Sequence, residues 1–135
     1  MAVGITFKNG ECLDAVDYYC EVFDLEKPKT IFKYSDFKEF KHPEKIKNRI
    51  YLTYLEIYGN KIYMQDTTID ENLSNGNNVK IVIETSADDL YKSYMNFRKD
   101  SRVIMEPQKV NSKLLTTFLV DKYDIGWQFI ADLPK

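Results

Sequence analysis

The chain has 135 residues, a length that favours one domain or two small halves sharing a core. Its 44% hydrophobic and 30% charged residues are ordinary for a soluble globular protein. Because 21 acidic residues nearly balance 19 basic ones, the chain lacks the strong charge that attracts nucleic acid or anionic lipid, and we expect neither as a partner.

The sequence indicates a cytoplasmic protein. No apolar run approaches the ~20 residues needed to cross a bilayer, and the N-terminus lacks the charged start and apolar core of a signal peptide. Cys12 and Cys20 fall in one predicted helix, which separates them by about 12 Å, beyond the ~7 Å limit between α-carbons for a disulfide. We therefore expect reduced thiols and no membrane association.

The first half of the chain predicts a strand, a helix and then three strands. Val3–Phe7 is a short apolar strand, and Asn9-Gly10 opens a helix from about Glu11 to Phe23. Apolar residues recur along this helix every three or four positions, which is the spacing of one buried face. They are Cys12, Val16, Tyr19 and Phe23.

Three further strands are predicted before residue 67. They are Thr30–Tyr34, Arg49–Tyr58 and Lys61–Asp66, with a charged loop up to Asn48 between the first two. Gly59-Asn60 is a two-residue hairpin signal between the last two strands.

The same order of elements follows the polar segment Asp70–Asn78, the best linker in the chain. Ser86 and Asp89 resemble a capping box that starts a helix over Ala87–Lys99, with Ala87, Leu90, Tyr94 and Phe97 on one face. The predicted strands of this half are Val79–Glu84, Arg102–Glu106, Leu114–Asp121 and Gly126–Asp132.

A strand, a helix and three strands therefore occur twice, which is an internal repeat. We expect a single α+β domain, 1–135, built from two βαβββ modules, Met1–Leu73 and Ser74–Lys135. One helix covers one sheet face in each module, so the other face needs cover from the second module, a ligand or a partner chain. This requirement favours a homodimer.

A repeated βαβββ unit is the plan of the vicinal oxygen chelate superfamily, and the chain most resembles its PhnB-like branch. Asn9–Asp24 is similar to the family start Asn-Gly-x-x-x-x-Ala-x-x-Phe-Tyr-x-x-Val-Phe-Gly. Glu56–Asp66 resembles the family hairpin that ends in Ser-Asp, and Asp121–Trp127 resembles Asp-Lys-Phe-Gly-Val-Pro-Trp. The resemblance implies two sheets that form a cup with the helices outside, and it implies a dimer.

Catalytic members of this superfamily bind a divalent metal with His, Gln or Glu at four positions. The resemblance places Gly4, Lys80, Gln128 and either Gln65 or Asp66 at these positions. Glycine offers no ligand and a lysine ammonium repels a cation, so we predict no metal and no other cofactor. His42 is the only histidine, and its two interpretations are a base or ligand on a loop and an exposed loop residue.

Five residues are predicted near the cup as ligand-binding residues, and no catalytic residue is identified. Trp127 would stack on a ligand or anchor the core, and Gln128 would donate an amide hydrogen bond. A buried Glu would gain a raised pKa and could act as a base. The five are Tyr54, Glu56, Asp66, Trp127 and Gln128.

Three functions remain open at this point. The first is a metal-free protein that binds a small organic ligand in an aromatic-lined cup, consistent with ten Tyr, eight Phe and one Trp. The second is a lyase, isomerase or dioxygenase-type enzyme of the superfamily, using Glu56 or Asp66. The third is a non-catalytic structural or regulatory dimer whose cup is filled by side chains.

Overall fold

A computed structural model describes residues 1–37, 44–74, 76 and 78–133 of the chain. The chain divides into two compact units, Met1–Ser74 and Asn75–Lys135, which we call module one and module two. Each module contains one α-helix and one mixed four-stranded sheet, so the fold is α+β as predicted. Among the described residues, no helix combines the length and the apolar character required to cross a bilayer.

In the described part of module one, the α-helix and the four strands follow the predicted order. They are β1 (Val3–Phe7), α1 (Cys12–Phe23), β2 (Phe32–Lys33), β3 (Ile50–Ile57) and β4 (Asn60–Asp66). The strands lie in the order β1-β4-β3-β2, with β1 parallel to β4 and the other pairs antiparallel.

Module two repeats this arrangement. Its elements are β5 (Ile81–Glu84), α2 (Ala87–Phe97), β6 (Arg102–Lys109), β7 (Leu114–Val120) and β8 (Gly126–Asp132). The strand order is β5-β8-β7-β6, with β5 parallel to β8. The two sheets therefore have the same topology.

Each helix packs on one face of its own sheet, as the predicted stripes required. The stripe of α1 is buried throughout, and Tyr19 lies 6.5 Å from Phe7 of β1, ring centre to ring centre. In module two, Phe97 lies 5.6 Å from the Trp127 ring and 6.3 Å from the Phe129 ring of β8. The Ser86 cap is also confirmed, because its Oγ accepts a hydrogen bond from the Asp89 N–H at 3.1 Å.

Several predicted boundaries were wrong. The turn of the first hairpin is Tyr58-Gly59, not Gly59-Asn60, because both turn residues have positive φ (47° and 82°) and Asn60 already pairs with Ile57. Strand β2 has only two residues, because a short 3₁₀ helix begins at Tyr34.

In module two, strand β6 continues through Pro107 to Lys109, which is tolerated because β6 lies at a sheet edge. Strand β5 begins two residues later than predicted, and α2 ends two residues earlier.

The opposite side of each sheet, which we call the helix-free face, carries the alternate residues of every strand. In module one these include Gly4, Tyr54 and Tyr63, which the strand register places in one row across β1, β4 and β3. In module two the corresponding row includes Gly126 and Val120, which pair across β8 and β7. Arg102 of β6 continues this row because it pairs with Val120.

Candidate functional site

The helix-free face of module two contains a pocket of about 430 Å³. This volume is in the range of small-molecule sites, roughly 300–1,000 Å³. All of its lining residues belong to module two, and they combine apolar side chains with three charged ones. They are Gly76, Val79, Lys80, Arg102, Ile104, Phe118, Val120, Asp124 and Gly126.

Gly126 lines the pocket at a point where a side chain would be crowded by its neighbours. A Cβ at this position would lie 3.1 Å from the Lys80 Cβ and 3.4 Å from Cε1 of the Phe118 ring. The first distance is tighter than ordinary van der Waals contact and the second is at its lower limit, so a side chain here would displace Lys80. Glycine at position 126 therefore lets Lys80 and Phe118 approach each other across the start of β8.

Lys80 and Arg102 give the pocket its cationic character. The Lys80 Nζ lies 4.6 Å from the centre of the Phe118 ring, within the range of a cation–π contact. Arg102 is the first residue of β6, at the opposite edge of the sheet from β5. Within the described part of the chain, neither side chain forms an ion pair with a carboxylate.

The acidic residue of the pocket, Asp124, is held by a turn that Asp121 organises. The Asp121 Oδ1 accepts hydrogen bonds from the Tyr123 and Ile125 N–H groups, at 2.8 and 3.1 Å. Its Oδ2 accepts one from the Trp127 Nε1–H at 2.9 Å. The turn puts Asp124 in the left-handed region, with φ of 63°. Asp121 is buried and therefore acts by positioning this loop rather than by contacting solvent.

Three of the five predicted ligand-binding residues belong to module one and two belong to module two. Tyr54 and Glu56 lie on the helix-free face of module one and are exposed. The Tyr54 and Tyr63 rings lie 5.8 Å apart, and the Lys61 Nζ lies 4.2 Å from the first ring centre and 5.2 Å from the second. The two rings form an aromatic surface with the Lys61 ammonium group over it. None of these residues lines the module-two pocket.

Asp66 is fully buried at the end of β4, on the helix side of its sheet. Its Oδ1 accepts a hydrogen bond from the Cys12 N–H at 2.9 Å, and its Oδ2 accepts one from the Ile50 N–H at 2.8 Å. Burial raises the pKa of Asp66, and these two N–H donors oppose that rise. The carboxylate therefore ties the first turn of α1 to the start of β3.

Trp127 and Gln128 are neighbours on β8 and point to opposite faces. The Trp127 side chain has no exposed surface and packs against Phe97 of α2. Its ring is stacked on the Phe129 ring, with 6.3 Å between the ring centres. Gln128 shares the helix-free face with the pocket but does not line it. Its amide Nε2 donates to the Thr116 Oγ1 at 3.1 Å, so its side chain is fixed by β7.

The four positions that the resemblance assigns to metal ligands do not offer a fitting donor set. Gly4 has no side chain, and the ammonium group of Lys80 lies over the Phe118 ring. Gln65 and Gln128 offer only neutral amides, and each amide donates to a threonine hydroxyl, Thr6 in the first case and Thr116 in the second. Asp66, the alternative to Gln65, is buried, and both of its oxygens accept backbone N–H hydrogen bonds. Among the described residues no group of three or more His, Cys, Asp and Glu side chains could hold a metal. His42 lies outside the described residues.

Sequence reasoning missed most of the pocket. The sequence points to Lys80 only as a residue that cannot bind a metal, and it does not point to Arg102, Phe118 or Asp124. One signal was present in the sequence. The apolar and small residues at alternate positions of β7 and β8 predict a second, helix-free face, but the sequence does not give the register that brings Arg102 beside Val120.

Comparisons with known proteins show the fold and leave the function open. No protein-family model and no curated protein sequence matches the chain. Among solved structures, it is similar to a PhnB protein from Bacillus cereus that carries the provisional name 3-demethylubiquinone-9 3-methyltransferase. That match has a TM-score of 0.73 and 14% identity, and it covers 97% of this chain and 98% of the other.

Two further structures show the same fold. Protein PA1353 from Pseudomonas aeruginosa matches with a TM-score of 0.69 and 12% identity, over 97% of each chain. A variant of the fosfomycin resistance protein FosX from Listeria monocytogenes, complexed with Mn(II) and 1S,2S-dihydroxypropylphosphonic acid, matches with a TM-score of 0.64. Its identity is 10%, over 98% of this chain and 91% of the other. The chain therefore has the fold of the vicinal oxygen chelate superfamily, as its sequence predicted.

Proposed function

We propose that this protein binds a small organic molecule, without a metal ion, in the pocket of module two. The carrying observation is the pocket of about 430 Å³ that Gly126, Phe118 and Val120 line. A site of this kind needs an apolar surface for contact area and a few polar groups for orientation. Phe118, Ile104 and Val120 supply the first, and the charged lining residues supply the second.

The proposal that the site needs no metal is supported by the chemistry of its donors. A FosX variant with this fold has been seen with Mn(II) and a phosphonic acid. A divalent ion requires several oxygen, nitrogen or thiolate donors converging within about 2.0–2.6 Å. The resemblance assigns Gly4 and Lys80 to two of the metal positions and Gln128 to a third. The fourth is Gln65 or Asp66, and both Asp66 oxygens already accept backbone hydrogen bonds. Lys80 instead supplies a positive charge of its own.

Elemental analysis of untagged, purified protein tests the metal-free proposal. We expect far less than one divalent ion per chain. About one bound ion per chain, lost in Glu56→Ala or Asp66→Ala, would contradict it and would favour the enzyme hypothesis.

Ligand binding is tested by titrating the full chain with N-phenyl-1-naphthylamine, a neutral aromatic probe that becomes fluorescent in apolar sites. The decisive variant is Val120→Trp, which adds a large side chain to the pocket on a strand that accepts tryptophan well. The matched control is Tyr54→Trp, because Tyr54 occupies the corresponding row position in module one. Circular dichroism and thermal unfolding check that both variants fold.

We expect saturable binding that weakens at least about tenfold in Val120→Trp and changes less than about twofold in Tyr54→Trp, a difference above 1 kcal/mol. A probe concentration of about 100 times the dissociation constant should also stabilise the native protein by ~2.7 kcal/mol. The proposal fails if the native chain does not bind the probe, or if Val120→Trp binds it equally well.

We also propose that the chain forms a homodimer in the cytoplasm. Val82 and Ile104 support pairing, because both are apolar and about half exposed on module two. The two cysteines, Cys12 and Cys20, support the compartment because both are free, buried thiols. Sedimentation at micromolar concentration should show a dimer, and a single species of 15.9 kDa would refute pairing.

A further inference from the structure

Two cationic side chains, Lys80 and Arg102, line the pocket of module two together with one acidic side chain, Asp124. We propose that the ligand of this pocket is an organic anion, such as a carboxylate, sulfonate or phosphonate, with an apolar body. Its charged group lies between Lys80 and Arg102, and its apolar part lies over Phe118 and Val120. The inference rests on the proposed function, because it names the class of molecule that the same pocket binds.

Lys80 is held where an anion in the pocket would meet it. Its ammonium group lies over the Phe118 ring, at 4.6 Å from the ring centre, and both residues approach Gly126 closely. A cation–π contact of this kind orients the ammonium without neutralising its charge. The positive charge therefore remains available to a ligand that rests on the same ring.

Arg102 supplies the second positive group from the other side of the sheet. The row runs from Lys80 past Gly126 and Val120 to Arg102, so three strand spacings separate the two cations, about 14 Å between α-carbons. Both side chains are long, and both line the pocket between them. A guanidinium binds the two oxygens of a carboxylate, sulfonate or phosphonate through parallel hydrogen bonds.

The carboxylate of Asp124 reduces the positive charge of the pocket but does not cancel it. Of the described residues that line the pocket, Lys80 and Arg102 are basic and Asp124 is acidic, which leaves one positive charge. Because the surroundings are partly apolar, this charge is screened less than it would be in open water. A neutral molecule of equal size would gain the apolar contacts and lose the electrostatic ones.

The test compares two probes that share one aromatic body. 8-Anilinonaphthalene-1-sulfonate carries a sulfonate, and N-phenyl-1-naphthylamine has the same ring system without it. Both are titrated against the native chain, the double variant Lys80→Gln/Arg102→Gln, and the control Lys99→Gln/Lys109→Gln. The control removes the same charge at exposed positions that do not line the pocket, and Lys109 pairs with Leu115 on the helix side of the sheet.

We expect the native chain and the control to bind the sulfonate at least about tenfold more tightly than the neutral probe, because a charge-assisted bidentate contact exceeds a neutral one. In the pocket variant this preference should fall to within about threefold, while the affinity for the neutral probe changes little. Circular dichroism and thermal unfolding confirm that each variant is folded.

Three results would overturn the inference. Equal affinity of the native chain for both probes would show that the pocket binds organic molecules without selecting anions, and the proposed function would stand. A sulfonate preference that survives in the pocket variant, or disappears in the control, would place the charge recognition elsewhere. Failure of the native chain to bind either probe would overturn this inference together with the proposed function.

Discussion

The two modules have the same strand order, yet their helix-free faces differ in where the bulky side chains lie. In module one, the central strands carry Tyr63 and Tyr54 and the edge strand carries Gly4, so the middle of the row is filled. In module two, the central strands carry the smaller Gly126 and Val120, and both residues line the pocket. The two modules thus differ in the size of the side chains at the centre of one row, and the pocket lies where these side chains are small.

The helix sides of the two sheets show no such divergence. Tyr19 and Phe97 are both fully buried on the inner face of their helices, and each contacts aromatic residues nearby. Packing constrains that side to large apolar residues in both modules, because cavities in a core are costly. The comparison therefore predicts similar stability effects on the helix sides and different effects on the helix-free faces.

The largest effects should come from truncating the core aromatic residues of either helix. Phe97→Ala and Tyr19→Ala should each lower the free energy of unfolding by ~3–5 kcal/mol, since a fully buried ring is removed. Chemical denaturation measures this loss. Met95→Ala, at a half-exposed position of α2, is the control and should change stability by less than about 0.5 kcal/mol. A loss under about 1 kcal/mol for either aromatic residue would show that its module is packed differently.

The next effect separates a structural role of Asp66 from a role in ligand binding. Asp66→Asn keeps one acceptor oxygen and removes the other, so the Cys12 or the Ile50 N–H loses its partner. We expect a loss of about 1–3 kcal/mol in the free energy of unfolding, with affinity for the naphthylamine probe unchanged. Denaturation and probe titration on the same sample measure both. If Asp66→Asn is as stable as the native chain but binds the probe more weakly, Asp66 contributes to ligand binding.

A smaller effect should distinguish the two row glycines. Gly126→Ala places a methyl group 3.1 Å from the Lys80 Cβ, whereas a Cβ at Gly4 meets nothing within 4 Å. Gly126→Ala should cost about 1 kcal/mol in stability and weaken probe binding, because overpacking displaces the pocket wall. Gly4→Ala should leave both measurements unchanged within about 0.5 kcal/mol. Equal changes in stability and probe binding for the two variants would show that the rows of the two modules do not differ at their glycines.

The smallest effect concerns acid stability of module one. The Arg49 guanidinium binds the Asp70 carboxylate through two hydrogen bonds, at 2.8 and 3.0 Å, and lowers the pKa of Asp70 to about 2. A lowered folded-state pKa gives stability that is present above the unfolded value, near 4, and is lost as the pH falls towards 2. The contribution of Asp66 to stability changes with pH in the opposite direction. Because its pKa is raised in the folded state, protonation of Asp66 stabilises the fold as the pH falls.

Asp70→Asn should therefore make the melting temperature less dependent on pH between 4 and 2. Thermal unfolding at several pH values measures the slope, and Asp100→Asn in module two, at an exposed position, is the control. An unchanged slope in Asp70→Asn would show that the ion pair with Arg49 does not form in solution.

The sequence predicted those parts of the fold that depend on local patterns. The spacing of Cys12, Val16 and Tyr19 predicts α1, because the buried face of a helix repeats every three or four residues. Ser86 predicts the start of α2, because a helix cap depends only on the three residues that follow it. The hairpin turn was displaced by one residue, since Tyr58 adopts a positive φ that its residue type does not favour. Tertiary contacts overrode the local preference there.

The pocket could not be predicted because it depends on register between distant strands. Lys80 and Arg102 enter one row only through the pairings of β8 with β7 and of β7 with β6, and the last pairing contains bulges. The different positions of Trp127 and Gln128 could not be predicted either. Adjacent residues on a strand face opposite sides, and the sequence does not state which side carries the helix.

The two buried aspartates differ in how far along the chain their partners lie, and this difference bears on the order of folding. Asp121 bonds to groups two, four and six residues ahead, so its loop can close as soon as that short segment exists. Asp66 bonds to groups 16 and 54 residues behind, and these bonds cannot form before β3 and α1 have been brought together. Contacts that close long loops form late, because chain entropy opposes them until other interactions offset it. We therefore expect the Asp121 loop to be an early structured segment of module two. The first turn of α1 should be among the last parts of module one to gain protection from hydrogen exchange.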